Sequence, residues 1–548
     1  LRQRRGRDYV DNLHAVFAGA DLLPRRDIDY VGYWFILAQR HLMNNQCSAF
    51  GFISTRALVQ RQSRTVLRYG LDNDLRISLA YRDRPWEGSA GVHIAITCME
   101  RNDCAHVEGT WLASALSAEL VESDSEINEF LSNDDNFYIL FESLNDNAGI
   151  SRQSIKGPYR GSQGGCEPEF EDLMRSRSLM LENEGAEAMR NAQNLDENLS
   201  NTDVVVRYIP NSYWERRVSQ WIINFRNFDE AQASNYLQPW EHLHNNGRRE
   251  GIIHNCTEMI PDPVTGELRA NRNYSAEYAG QNFGQRWWQI WRNRENETFY
   301  ELRQRGMYYV KSQLLNIPSN NGHIHFERVE GNSIADGGMY ILNLNEDWHI
   351  GVLLSDFHQA WCRYTHGFNA TGGDTWFPSE VLDGFPMPQG VSNDDVGSLN
   401  TAISNYYQYL DNLFNHDDTD TLRDCIDHPT LDVRRTAISR IVRRMYGLPE
   451  HGEVTYEQLI DIKISQWAPE EIARLNDISQ IMQIARVGQA TVDNLSAQGW
   501  TNIRALSQTN AQQISENTPR FSLAQAEEVL ELVTNSLIPK IQHLENLV

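Results

Sequence analysis

The sequence predicts an α/β fold at its N-terminus, a mixed α and β middle region and a helical C-terminal part. Residues 1–135 alternate helical and strand-like patterns, which is typical of α/β folds with a largely parallel sheet. Residues 136–395 are irregular and rich in aromatic residues, with short strand-like runs between them. Helical periodicity covers residues 396–470, and residues 471–548 form a smaller helical unit with glycine turns. We therefore expect four domains, because 548 residues are too many for one ordinary core.

The first elements follow one another clearly along the chain. "IDYVGYWFILAQRHL" predicts an amphipathic helix, "SAFGFIST" a strand and "QSRTVLRYGL" a second helix. Residues 77–80 and 92–98 are short, rich in β-branched side chains and bounded by Gly and Pro, so they predict two buried strands of an antiparallel hairpin. The connection between these strands is unusual, since it carries two arginines and two large aromatic residues: Tyr81, Arg82, Arg84 and Trp86.

The charge of the chain narrows the possible functions. The net charge of −25 favours solubility and argues against a general polyanion binder, although local basic patches remain possible. Lysine occurs only at positions 156, 311, 463 and 540, so 45 of the 49 basic residues are arginine. Arginine suits bidentate contacts with phosphate and guanine. Genome composition produces the same bias, however, and is the simpler explanation.

The seven cysteines are scattered along the sequence. Cys98, Cys104 and His106 come closest to a cluster, and no second pair stands at zinc-ligand spacing. We expect free thiols, no metal and a cytoplasmic location. No signal peptide opens the chain, and no apolar run reaches transmembrane length. The chain begins with Leu1, and we expect it to be a segment of a longer protein.

Several motifs in a fixed order resemble one enzyme family. The stretch from "IDYVGYWFILAQRHL" to "GVHIAITCMER" is similar to the second half of a γ-type amino-methyltransferase domain. Further along the chain, "VVVRYIPNSYWERRVSQWIINF", "RWWQIWRNRENETFYELRQRGMYYVKSQ" and "DWHIGVLLSDFHQAWCRYTHGF" occur in the order of a target-recognition region, followed by the signature "FPMP". Together they resemble the large DNA adenine methyltransferases of Type IIL restriction–modification and related phage-defence systems, over roughly residues 8–390.

This resemblance implies the C-terminal half of a Rossmann-like methyltransferase sheet, a mixed α+β target-recognition domain and C-terminal helical domains. It also implies S-adenosylmethionine as the cofactor. However, the sequence contains neither Asn/Asp-Pro-Pro-Tyr/Phe, which holds the target amino group in the family, nor a glycine-rich loop near its N-terminus. We therefore expect the cofactor site upstream of this chain. The alternative is a protein that reads DNA without modifying it.

The resemblance gives the aromatic hairpin a role. A methyltransferase must extrude its target adenine from the duplex, so Tyr81 or Trp86 is expected to stack on the extruded base. Arg82 and Arg84 are expected to contact neighbouring phosphates. The alternative is that Trp86 packs on the sheet while the arginines are solvated.

Base recognition is expected from the middle region, where Arg reads guanine and Asn or Gln reads adenine in the major groove. Candidates are Glu327, Arg328 and Asn332 in "HIHFERVEGNSIADGG". Arg286 and Arg294 belong to a second, arginine-rich set that also includes residues 292, 303 and 305. On a helix, Arg305 is more often solvated or ion-paired than a base reader.

The last unit resembles tandem helix–hairpin–helix modules such as those of recombinases. In "IARVGQATVDNLSAQGW", Gly488 fits a hairpin whose backbone amides face a phosphate, and Arg486 adds charge. The second hairpin, "TPRFSLAQ", has no glycine, so docking to a protein or a purely structural helical cap are alternatives.

Two functions follow from the sequence. The first is sequence-specific DNA binding and adenine-N6 methylation with S-adenosylmethionine, as part of a longer methyltransferase in restriction–modification or antiviral defence. The second is a non-catalytic DNA-recognition subunit. Double-stranded DNA is the expected partner in both cases, with a helicase or nuclease subunit as a further possible partner and no membrane.

Overall fold

The computed structural model of the protein describes most of the chain. The described residues are 7–17, 28, 30–59, 63–86, 93–104, 109–113, 119–142, 144, 155–156, 179–194, 196–210, 217–225, 228–250, 259–261, 266–270, 286–289, 297–312, 323–335, 339–342, 344, 346–365, 384–416, 421–485, 487–519 and 521–548. All structural statements below concern these residues.

The N-terminal part combines three helices with a five-stranded sheet. Its elements are α1 (Arg7–Phe17), α2 (Tyr30–Met43), β1 (Ala49–Thr55), α3 (Arg64–Leu71), β2 (Leu75–Pro85), β3 (His93–Arg101), β4 (Trp111–Ala113) and β5 (Val121–Glu122). The order of strands in the sheet is β1-β3-β2-β4-β5. Helices α2 and α3 pack on one face through a core that includes Phe35, Leu67, Ile77 and Met99. The expected helices, the first strand and the hairpin are therefore all present.

The strand directions correct one expectation. The hairpin strands β2 and β3 are antiparallel neighbours, as predicted. The sheet is not largely parallel, however, because β1–β3 and β4–β5 are also antiparallel and only β2–β4 is parallel. The helical connection through α3 does return the chain parallel to β1, as helical crossovers do. The short hairpin then inserts β3 between β1 and β2, and this insertion makes both of their contacts antiparallel.

The middle part contains two four-stranded sheets and a two-stranded ribbon. Its elements in chain order are β6 (Ile155–Lys156), β7 (Met180–Leu181), α4 (Asn183–Arg190), β8 (Val205–Ile209), β9 (Gln220–Ile223), α5 (Glu230–Ser234), α6 (Leu237–Asn245), β10 (Met259–Pro261), β11 (Leu268–Ala270), α7 (Glu297–Gln304), β12 (Met307–Ser312), β13 (Glu327–Glu330), β14 (Ser333–Ala335) and β15 (Met339–Leu342). One sheet has the order β13-β12-β15-β6, the other β14-β8-β9-β7, and β10 pairs with β11. The chain passes from the first sheet to the second at a turn containing Gly331, whose φ of 73° is a conformation that glycine adopts without strain.

Helices follow the middle sheets. They are α8 (Trp348–Leu354), α9 (Asp356–Thr365), α10 (Asn393–His416), α11 (Leu422–Ile426) and α12 (Pro429–Met445). Every residue of α8 is buried, which confirms that the apolar residues of "VLLSDFHQAWCRY" belong to a core. Arg443 of α12 donates from Nε to the Asp356 carboxylate at 3.0 Å, and Phe357 stacks on Tyr446 with ring centroids 4.0 Å apart.

Packing divides the chain into two units. The first comprises Leu1–Asp135, Gly149–Leu382 and Gly390–His451, and the second comprises Asn136–Ala148, Asp383–Gln389 and Gly452–Val548. The four domains that the sequence predicts stay a prediction. The mixed α/β character and the helical C-terminal region are confirmed, whereas the assignment of the first sheet to half of a Rossmann-like fold is not tested.

The second unit is helical. Its helices are α13 (Tyr456–Asn476), α14 (Gln480–Ile484), α15 (Gln489–Ala497), α16 (Ile503–Ser507), α17 (Ala511–Asn517), α18 (Leu523–Leu532) and α19 (Ile538–Leu547), with a π-helical turn at Val533–Leu537. Lys463 of α13 is buried, and its ammonium group donates to the carbonyl oxygens of Glu142 at 2.6 Å and Gly384 at 2.8 Å. A Cβ atom at position 384 would lie 3.1 Å from the Glu142 oxygen, so the close approach of these segments favours glycine. None of the helices that the structure describes is long and apolar enough to cross a bilayer.

Candidate nucleic-acid interface

An irregularity in β2 shapes the aromatic hairpin. Tyr81 pairs with Ile96, and Arg84 pairs with Ile94, so two residues of β2 face a single residue of β3 between these pairs. In a regular strand, residues three apart point to opposite faces, but this bulge places Tyr81 and Arg84 on the same face. The guanidinium carbon of Arg84 accordingly lies 5.3 Å from the centre of the Tyr81 ring.

The bulge also changes the position of Arg82. The residue is only 5% exposed, so little of it is accessible to a phosphate, and the expected phosphate contact of Arg82 stays a prediction. Trp86, at the end of the described part of the hairpin, is 46% exposed. Trp86 therefore leaves nearly half of its surface accessible, and its stacking on an extruded base stays a prediction.

A charged cavity of about 220 Å³ lies where the two middle sheets meet. Its lining comes from β8, β13, β14, α10 and the segment before β9. The lining residues are Arg207, Ile209, Arg217, Ser219, Glu327, Arg328, Val329, Glu330, Ser333 and Asp411. Three arginines and three carboxylates therefore surround the same space. Such a lining offers hydrogen-bond donors and acceptors together, as the edges of bases require.

Arg217 is the central cation of this cavity. Its Nε lies 2.9 Å from Oε1 of Glu327, and its Nη1 lies 2.8 Å from Oδ1 of Asp411. Its φ of 54° is unusual for a residue with a side chain and costs about 1–2 kcal/mol. Burial would lower the pKa of Arg217, but the carboxylates of Glu327 and Asp411 outweigh this effect and raise it. The ion pairs therefore hold Arg217 charged in a strained backbone conformation.

Glu327 is a buried anchor of this network. It is 2% exposed, and its Oε2 lies 3.1 Å from Nε2 of His325, whose Nδ1 lies 2.9 Å from the Tyr406 hydroxyl. Burial would raise the pKa of Glu327, yet the hydrogen bond with His325 and the charge of Arg217 lower it. Its carboxylate is thus engaged by both Arg217 and His325, and the expectation that Glu327 reads a base stays a prediction. In this geometry the carboxylate holds the Arg217 guanidinium.

Among the predicted base readers, Arg328 is the cavity residue that is best placed to contact a ligand. It is half-buried, and its Nη2 lies 3.4 Å from Oδ2 of Asp411 and 3.0 Å from Oε1 of Glu330. Its guanidinium also lies over the Tyr407 ring at 5.4 Å. Asn332 is exposed in the turn that follows β13. The structure therefore brings Arg328 and Asn332 to the same edge of the two sheets.

Sequence reasoning missed the contribution of α10. This helix supplies Tyr406, Tyr407 and Asp411, and Phe414 lies 5.0 Å from the Arg217 guanidinium. These positions are separated by helical spacings and therefore share one face. The sequence signal that could have indicated this contribution is a row of aromatic residues on one face of α10, interrupted by Asp411. This pattern does not reveal which arginine Asp411 contacts.

The other predicted DNA-binding residues of the middle and last regions are less informative. Arg286 is exposed and is not among the residues that line the cavity, whereas Arg294 and Arg486 lie outside the described residues. Gly488 is the N-cap residue of α15 in the second unit, and no atom would meet a Cβ there within 4 Å. Arg303 is buried, and Arg305 donates to the Leu344 carbonyl at 3.2 Å.

The described residues do not fit S-adenosylmethionine. Strand β1 leads into the 3-10 turn Arg56–Val59, β2 leads into the hairpin, and β3 leads into the turn Asn102–Cys104. In the described parts of these connections, no glycine-rich turn opens an α-helix, which is the arrangement that cradles such cofactors. In the same described parts, no group of three His, Cys, Asp or Glu residues is arranged to hold a metal ion.

Comparison with known proteins supports the resemblance found in the sequence. Residues 3–106 match the family described as MmeI, DNA-methyltransferase domain. This match includes the hairpin with Tyr81 and Trp86. A search among curated proteins gives no significant match.

The fold resembles a solved DNA complex. The chain matches the Type IIL restriction-modification enzyme MmeI in complex with DNA, with a TM-score of 0.54 and 14% sequence identity. The match covers 85% of this chain and 55% of that chain, so the chain spans about half the length of the enzyme. The resemblance to Type IIL-like methyltransferases is thereby confirmed, and at this identity the structural likeness concerns the fold.

Proposed function

We propose that this chain recognises a specific sequence in double-stranded DNA and takes part in the methylation of adenine at N6, within a restriction–modification or antiviral defence system. The observation that carries the proposal is the match of residues 3–106 to a DNA-methyltransferase domain. The likeness of the fold over most of the chain to an enzyme solved with DNA supports it. The cytoplasm is the proposed location.

In this proposal the hairpin receives the target base. A methyl group reaches the amino nitrogen of adenine only after the base has left the duplex, and an extruded base needs a surface on which to stack. Trp86 offers such a surface, since its ring is accessible. Arg84, which is held over Tyr81, is placed to contact the neighbouring backbone.

The charged cavity of the middle sheets reads the sequence. Arg328 is the proposed donor to a base edge, and Asn332 is a second candidate at the adjoining turn. Arg217, Glu327 and Asp411 act through Arg328 as positioning residues. A buried network fixes a side chain in one orientation, which base recognition requires.

S-adenosylmethionine supplies the methyl group when it is bound. Because the described residues form no cradle for this cofactor, no step of its chemistry is assigned to them. Their proposed work is to bind the duplex, to select the sequence and to hold the extruded base.

The test combines duplex binding with methyl transfer. Residues 1–548 are expected to bind duplex DNA with an affinity that decreases steeply with salt and that depends on sequence. Methyl transfer is measured with the complete gene product, labelled S-adenosylmethionine and duplexes that either contain or lack adenine. Absence of both salt dependence and sequence preference in binding contradicts the proposal.

A second function is favoured by one specific observation, the lack of an Asn/Asp-Pro-Pro-aromatic motif in the sequence. In this second function the chain is a DNA-recognition subunit that places another protein, such as a nuclease or helicase subunit, on its target sequence. Sequence-specific binding without methyl transfer by the complete gene product supports this second function. Transfer to N6 of adenine supports the first.

A further inference from the structure

The exposed side of the second middle sheet carries two arginines on one indole ring. Arg190 of α4 and Arg207 of β8 lie with their guanidinium carbons 4.7 Å and 5.6 Å from the ring centre of Trp221. Trp221 is half-buried and pairs with Arg207 across β8 and β9. Both cations therefore lie against the same aromatic ring.

These two cations have no ion-pair partner among the described residues. In the part of the chain that the structure describes, neither Arg190 nor Arg207 forms an ion pair with a carboxylate, although Glu187 lies one turn from Arg190. Burial and the nearby charge of Arg207 lower the pKa of Arg190. An anion placed between the two groups would relieve this repulsion.

The pair adjoins the base-reading cavity. Arg207 is exposed and lines the cavity together with Arg328, and it pairs with Ser333 of β14, next to the turn that holds Asn332. Of the three arginines that line the cavity, Arg217 and Arg328 form ion pairs with its carboxylates, whereas Arg207 forms none and shares the Trp221 ring with Arg190. Arginines that are not engaged by carboxylates are suited to phosphates.

We propose that Arg190 and Arg207, held by Trp221, form a clamp for the phosphates of the DNA backbone and set the register of the duplex over the cavity. The proposal rests on the proposed function and adds a site that the sequence did not indicate. Nonspecific attraction comes from the clamp, and discrimination between sequences comes from Arg328.

The test uses residues 1–548 and an end-labelled duplex of random sequence, with affinity followed by anisotropy over a range of salt concentrations. Replacement of both arginines, R190Q/R207Q, is expected to lower affinity for every sequence and to reduce the slope of log K against log salt by about two, since each lost phosphate contact reduces it by about one. R207K retains the charge and is expected to keep most of the slope.

The matched control is R68Q/R444Q. It removes two charges from exposed arginines that already have carboxylate partners, namely Asp72 and Glu129 for Arg68 and Asp395 and Glu450 for Arg444. Its slope is expected to equal that of the wild type. Arg190 also donates to the Val205 carbonyl, so its replacement could lower stability, and thermal unfolding is measured for each variant. The single variant R207Q avoids this effect, because the Arg207 side chain is exposed.

The possible outcomes distinguish a failure of the clamp proposal from a failure of the proposed function. If the wild type binds the duplex with salt dependence and both R207Q and R190Q/R207Q retain its slope, the clamp is refuted while DNA binding stands. If the double variant and the control lose the same amount, the effect is one of net charge and the clamp is again refuted. If the wild type binds no duplex but binds an acidic peptide through Arg207, the group serves a protein partner, and both the clamp and the proposed function fail.

Discussion

Arg217 and Asp411 are 194 residues apart in the sequence, and yet Nη1 of Arg217 lies 2.8 Å from Oδ1 of Asp411. This contact joins the segment before β9 to the C-terminal third of α10. The other carboxylate oxygen of Asp411 faces Arg328 at 3.4 Å. A single side chain therefore links the buried cation of the cavity to the proposed base reader.

Replacement of Asp411 by Asn is expected to weaken sequence discrimination more than stability. Asp411 is 38% exposed, and its ion pairs are expected to contribute about 1 kcal/mol or less to folding. Arg328 would lose one of its two carboxylate contacts, so its orientation would become less fixed. The measurement is the ratio of duplex affinities for a sequence selected from a random library and for its scrambled version. An unchanged ratio would show that Asp411 does not position Arg328.

Replacement of Glu327 by Gln is expected to destabilise the first unit by about 3 kcal/mol, because it removes one partner from a buried ion pair. The effect depends on pH. The pKa of Glu327 is lowered in the folded protein, so the ionised carboxylate contributes stability above its ordinary value of 4.5, and this contribution is lost as pH falls through the lowered pKa. Chemical denaturation of the wild type and the variant should therefore give a difference in unfolding free energy that is largest near neutrality and decreases in acid. A constant difference at every pH contradicts this account.

Replacement of Arg328 by Gln is expected to cost about 1–3 kcal/mol of binding free energy, mainly at one base pair of the recognised sequence. The matched variant is R84Q in the hairpin. Because Arg84 is proposed to contact the backbone, its loss should reduce affinity similarly for all sequences and lower the salt slope by about one. Affinities for a series of singly substituted duplexes distinguish the two patterns. Equal effects of R328Q on all duplexes would assign Arg328 to the backbone instead.

Replacement of Trp86 by Ala is expected to remove stacking worth about 1–3 kcal/mol on an extruded base, by analogy with single-strand stacking platforms. The readout is the fluorescence of 2-aminopurine at the target position, together with methyl transfer by the complete gene product. Duplex affinity and thermal stability should change little, because nearly half of this residue is already exposed to solvent. Trp34 of α2 is exposed to a similar degree, 50% against 46%, so W34A is the control. Equal losses in the two variants would argue against a specific role for Trp86.

Lys463 should make the stability of the second unit depend on pH. Burial lowers the pKa of Lys463 to about 7, although Glu142 and Glu470 act in the opposite direction. The unfolded chain then binds more protons than the folded one between about pH 7 and the ordinary lysine value of 10.5, so the free energy of unfolding rises with pH in this window. K463M should lose this rise, whereas K540M, which changes an exposed lysine of α19, should keep it. Denaturation midpoints of the three proteins across the window provide the measurement.

The sequence predicted the local elements of this fold better than their assembly. Hydrophobic periodicity and residue composition predicted α2, β1, α3 and the hairpin correctly, because both signals depend on only a few neighbouring residues. The predicted strand directions within the sheet were wrong, because the insertion of β3 between β1 and β2 is a feature of the tertiary structure. Nothing in the sequence indicates which strand the hairpin joins.

The same limit applies to the candidate sites. The hairpin and Arg328 stand out in the sequence because unusual residue types lie close together there. The burial of Arg82 was not predicted, because alternation alone does not reveal the bulge in β2. Arg217, Asp411 and Arg207 were missed because they come from three distant segments. The burial of Glu327 was not predicted either, because it depends on those same partners.

The ammonium group of Lys463 has a consequence for how the second unit unfolds. Asn136–Ala148 and Asp383–Gln389 join this unit from positions far apart in the sequence, and one side chain of α13 donates to the backbone of both segments. Separation of either segment from α13 would leave the buried ammonium group with one hydrogen bond fewer, which is costly. The two segments and α13 are therefore expected to open as one cooperative piece and not one after the other.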